Sequence, residues 1–155
     1  MTWQPDKEQE RFISSYASSH PWEDWAESWA HYMHMRSTLE TAASYGIDIS
    51  RVRLLITPFE RDVLCSWESA KDGRTFLEWV NAWVILTAVL NDTARSMGQP
   101  PLYPFVLNKA AVTKLHFIQC VMDEGAAHGR VPPLKRAHHV VAPKRHGTLT
   151  RPTAR

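Results

Sequence analysis

The sequence predicts an all-α protein of four to five helices around one core. Three observations carry that prediction. Apolar residues recur at helical spacing along most of the first 125 positions, strand-like alternation is nearly absent, and Pro and Gly fall where helices begin and end. With 155 residues, 44% of them apolar and seven of them Trp, the chain is long enough to bury a core of its own.

Taken in order, residues 6–18 (DKEQERFISSYAS) place Phe12, Ile13 and Tyr16 on one side and predict a short amphipathic helix. His20-Pro21 restarts the chain. Proline at the first helical position, followed by Glu23 and Asp24 in the first turn, suits both the free amides and the macrodipole of a helix start. This second helix should run to about Tyr45 and stop at Gly46, a residue fit for a left-handed cap. A connection containing Pro58 and a short helix around 59–69 follow, ended by the breaker KDGR. Residues 75–97 are apolar nearly all round in the middle, which predicts a long helix central to the core. GQPPLYP ends it, and NKAAVTKLHFIQCVMDE forms a last helix finishing near Glu124.

Residues 126–155 differ in kind. They hold seven of the eighteen Lys and Arg residues and no acid, which leaves eleven basic against sixteen acidic residues in positions 1–125, a body of charge −5. With four Pro, four His and no apolar period, this tail is expected to be disordered, the helical domain occupying 1–125. It lacks the interleaved aromatics that stack on bases, so a nucleic-acid partner is not indicated. No run of eighteen apolar residues and no signal-peptide core occurs, so a cytoplasmic protein with no membrane span is expected. Cys65 and Cys120 have no C-x-x-C spacing and read as two buried thiols.

The densest chemistry lies in SSHPWEDWAESWAHYMH, residues 18–34. At about 100° per residue, with Glu23 at zero, Glu27 falls near about 40°, His31 near about 80° and His34 near about 20°, all on one stripe. Trp22, Trp25, Trp29, Tyr32 and Met33 fall between about 180° and 280°, which predicts a core-facing aromatic side. The polar stripe is unusual because a solvated helix face normally sets Lys or Arg at i+4 to its acids, whereas Glu23 is followed by Glu27 and Glu27 by His31. Physics alone leaves two readings open: a metal or acid–base site, or an unusual exposed face. A carboxylate di-metal bundle is disfavoured, since it needs Glu-x-x-His and the spacing here is Glu27-x-x-x-His31.

The strings YASSHPWEDWAESWAHYMHMRSTLETAASYG and RSMGQPPLYPFVLNKAAVTKLHF resemble the C-terminal half of a bacterial family of zinc-binding metallopeptidases, over residues 10–124, most specifically in H-P-x-E-D-x-A-E-x-W-A-x-Y. The resemblance implies a gluzincin-like site, in which an upstream H-E-x-x-H helix supplies two zinc-ligating histidines and the general base, and a second helix supplies a Glu. Carried over, Glu23 matches that metal ligand. Glu27 matches the acidic residue that receives a hydrogen bond from a ligand histidine, and His31 stands beside it in the same outer shell. Tyr16, seven residues ahead of Glu23, stands where lethal-factor-like gluzincins carry a tyrosine that steadies the oxyanion.

The chain departs from that pattern in containing no H-E-x-x-H. The resemblance therefore implies a truncated or fragmentary member whose zinc binding alone is weak or absent, and whose peptide substrate requires completion by a separately encoded N-terminal half. The competing expectation is a non-catalytic helical interaction module that uses its basic tail as the contact element.

Overall fold

His20 and Pro21 open a helix as their chemistry requires. In the computed structural model, which describes residues 11–52, 54, 59–64 and 70–129, the His20 ring accepts the Trp22 amide at 3.2 Å and Pro21 takes the first helical position. Helix α1 spans Pro21–Ser44, α2 spans Ala70–Ser96 and α3 spans Lys109–Ala127. One-turn 3₁₀ segments at Ile49–Arg51 and Arg61–Val63 lie between α1 and α2, and no strand occurs among the described residues. The fold is all-α, and among the described residues it has three helices and two short turns, against the four to five helices expected for the chain. No helix among the described residues is long and apolar enough to cross a membrane.

Gly46 ends α1 as anticipated. Its φ of +75° lets its amide reach the Ala43 carbonyl, while the Ile47 amide returns to Ala42, each at 3.0 Å. Other expectations are corrected. Residues 11–19 form turns rather than the second half of a helix; residues 6–10 lie outside the described residues. The cause is local. The Ser14 hydroxyl accepts the Ala17 amide, and the Ser18 and Ser19 hydroxyls donate to the Ser15 and Tyr16 carbonyls, so side chains take the bonds a helix would use. KDGR does not break the chain either, because α2 runs through it. A Cβ at Gly73 would lie 2.7 Å from a Leu64 methyl, so this glycine makes room for the Arg61–Val63 turn to pack on the helix. Of the short helix expected at 59–69, residues 61–63 form that turn, and residues 65–69 lie outside the described residues. Finally, α3 continues to Ala127, two residues into the stretch assigned to the tail; residues 130–155 and Cys65 lie outside the described residues, and the half-buried Cys120 sulfur lies 3.9 Å from Nε2 of His116.

One apolar cluster joins the helices. Tyr32, Met35 and Leu39 of α1 meet Phe76, Val80, Trp83 and Leu86 of α2 and Val112, Leu115 and Ile118 of α3, with Ile49 and Val63 closing it from the 3₁₀ turns. Side chains of this size contribute roughly 1.5–3 kcal/mol each on burial. On α1 the buried residues Ser28, His31, Tyr32, Met35, Leu39 and Ala42 centre at about 130° on the wheel used above. The core face therefore runs between the acidic and aromatic stripes. Tyr32 is buried and Trp29 packs at the core margin, but Trp22 and Met33 are exposed, which corrects the expectation that the whole aromatic side faces inward.

Candidate metal-ligand site

The turn segment 11–19 lies across the start of α1 and brings two hydroxyls to two carboxylates. Ser14 donates to the Glu27 carboxylate, and the Tyr16 phenol lies beside that of Glu23. This offsets the repulsion between acids one helical turn apart, since each faces a neutral hydroxyl. The Tyr16 phenol is raised above its ordinary value, first by its bond to Glu23, then by slight burial and by the nearby charges of Glu23 and Glu27. It stays protonated and able to donate, with 57% of its surface exposed. Ile13 and Ala17 are buried beneath the segment, anchoring it to the body of the fold.

Two turns further along α1, His31 is 7% exposed. Its Nδ1 is 2.9 Å from the Tyr103 hydroxyl, and its ring meets Tyr103 and Phe105 edge-on at centroid distances of 5.6 and 4.9 Å. Burial lowers the His31 pKa, the charge of Glu27 raises it and that of His34 lowers it again; burial is the largest of the three, so the ring is neutral near pH 7. Burial likewise pushes the Tyr103 phenol upward. Tyr103 is fixed by Asn91 of α2, whose side-chain amide donates to the Tyr103 carbonyl at 2.8 Å and whose oxygen accepts the Tyr103 amide at 2.9 Å.

Tyr16, Glu23 and Glu27 thus come together, with His31 one turn beyond at the same stripe. His34 is exposed and has no part in this cluster. Sequence reasoning missed Ser14, Tyr103 and Phe105. Tyr103 lies in GQPPLYP, read only as the turn that ends the long helix, and no local pattern shows that a loop about seventy residues away covers His31. It also missed Lys114, which pairs with Asp24 at 2.6 Å.

Zinc takes four ligands in a tetrahedral site, three from protein when the site is catalytic. Glu23 is half-buried with the Tyr16 phenol beside it, and a carboxylate in that place suits a single metal-ligand arm. Glu27 is engaged by Ser14, and Nδ1 of His31 by Tyr103. Among the described residues, no group of three or more His, Cys, Asp or Glu side chains is placed to hold a metal. The donors fit one arm of a zinc site.

A helical scaffold presenting a carboxylate and a phenol at an open face is the class that fold and site define. The family described as "Putative zinc-binding metallo-peptidase" matches residues 2–121, and the chain belongs to it. Uncharacterized proteins of Mycobacterium bovis and of two strains of Mycobacterium tuberculosis are each 39% identical to it over 134 residues, covering 86% of this chain and 34% of theirs. The chain therefore spans about a third of the length of these relatives. No solved structure matches it.

Proposed function

We propose that this chain contributes the Glu-bearing helix of a zinc-dependent peptidase site. Glu23 is the metal ligand, Glu27 accepts a hydrogen bond from a ligand histidine, and His31 supports Glu27 from the same stripe. Tyr16 donates to the oxyanion as the peptide carbonyl becomes tetrahedral. When bound, zinc supplies Lewis acidity to water and to the scissile carbonyl. The two histidine ligands and the general base come from an H-E-x-x-H segment outside these 155 residues, which contain none, so the chain alone does not hydrolyse peptides. The observation that carries this reading is the Ser14–Glu27 hydrogen bond, which lays the segment bearing the Tyr16 phenol across the start of α1, beside the Glu23 carboxylate assigned to the metal.

Calorimetric zinc titration tests it. The chain alone should bind weakly, pairing with an H-E-x-x-H half from the family should raise affinity by orders of magnitude, and Glu23→Ala in the pair should abolish that gain. Tight stoichiometric zinc in the chain alone would refute the reading. No gain on pairing would favour the other one, a non-catalytic helical module contacting an acidic partner through the seven cations of residues 126–155.

A further inference from the structure

The segment that carries Ser14 and Tyr16 is tied down from α3. The Lys114 ammonium donates to the Asp24 carboxylate at 2.6 Å and to the Arg11 carbonyl at 2.9 Å, and it stands 4.6 Å from the centroid of the Phe12 ring. Nearly two turns earlier, the Asn108 side chain caps α3 by accepting the Ala111 amide at 2.8 Å, and its amide group donates to the Phe12 carbonyl at 3.0 Å. Ile13 and Ala17 anchor the segment by burial, which is non-directional and fixes its depth without fixing where its hydroxyls point. Lys114 supplies the missing direction. It grips both the segment, at Arg11 and Phe12, and α1, at Asp24, the residue adjoining Glu23. It pairs its charge with Asp24 in an ion pair on the first turn of α1.

We propose that Lys114 is a positioning residue for this site, latching residues 11–16 across the first two turns of α1 so that Tyr16 and Ser14 meet Glu23 and Glu27. The purpose assigned to the latch rests on the zinc reading; the latch itself does not.

The test uses the full chain without metal. Tyrosine Raman bands report whether a phenol donates a hydrogen bond, and subtracting the spectrum of Tyr16→Phe isolates Tyr16. In Lys114→Met the donor signature of Tyr16 should be lost and the Ala17 amide, bonded to Ser14, should exchange about tenfold faster, with helix content by circular dichroism unchanged. Lys114→Arg, which keeps the charge and the reach, should restore both readings. Asp24→Asn, which keeps the shape and removes the ion pair, provides the same test should Lys114→Met fail to fold. An unchanged Tyr16 signature in Lys114→Met, or in Asp24→Asn should that variant have to stand in, overturns the proposal, as does equal loss in Lys114→Met and Lys114→Arg. A released Tyr16 together with no zinc gain on pairing would leave the latch standing and remove the peptidase reading, and the converse result would do the reverse.

Discussion

His31 is the residue at which burial and chemistry pull hardest against each other. An imidazole stays neutral in such a site because protonation would desolvate a charge, so its folded pKa lies below its ordinary 6.5. The sign of the consequence follows from linkage. Below about pH 6.5 the unfolded chain binds this proton and the folded chain does not, so the stability owed to a neutral His31 is present above that pH and declines as pH falls beneath it. Urea unfolding of wild type and His31→Phe at pH 7.5, 6.5 and 5.5 should show wild type losing more stability on acidification; parallel losses would exclude the effect. At this scale the sequence was partly legible. Placing Glu23, Glu27 and His31 on one stripe follows from helical geometry alone, and the lack of Lys or Arg in residues 18–34 is read directly from the sequence. Whether that stripe is wet is decided by Tyr103 and Phe105, and a single-helix wheel contains no information about them.

Between helices and loops the recurring device is an asparagine of α2. Asn81 accepts the Phe59 amide at 2.7 Å and donates to the Phe59 carbonyl at 3.2 Å, and Asn91 does the same for Tyr103. Each side-chain amide imitates a neighbouring strand, satisfying both backbone groups of one loop residue. Asn91→Ala would leave the Tyr103 amide and carbonyl without these partners in a half-buried place, at a cost of about 1–3 kcal/mol. Equilibrium denaturation would measure that loss; a cost within experimental error would mean that water replaces both bonds. The ends of α1 were legible because His20-Pro21 and Gly46 act through their own backbones. The start of α2 was not, because Asp72-Gly73 resembles a turn and only the Leu64 methyl above Gly73 explains a glycine inside a helix. The serines of residues 14–19 misled in the opposite direction, since an apolar spacing that fits a helix says nothing about hydroxyls that compete for its carbonyls.

Across the whole molecule, all three helices draw on the same apolar cluster, and α2 and α3 add Leu86 and Ile118 to what α1 buries at Met35 and Leu39. None of the helices has a separate core that could survive the loss of the others. Unfolding should therefore be a single transition, with tryptophan fluorescence and far-ultraviolet circular dichroism changing together in urea. Two separated transitions would show that part of the bundle folds independently. The all-α class was the most legible property, because it rests on periodicity summed over long segments, whereas the inward face of α1 was displaced by roughly a quarter turn between two stripes that both looked distinctive.

The turns of residues 11–19 also solve a problem of reach. Side chains two positions apart on a helix diverge by about 200°, so a helical segment could not have aimed Ser14 and Tyr16 at one target face. Glu27 and Glu23 stand four residues apart, about 6 Å along the axis of α1. Ser14 donates to Glu27 and the Tyr16 phenol lies beside Glu23, so the segment meets the two acids in reverse order. A more helical version of the same residues would have to surrender one carboxylate to keep the other.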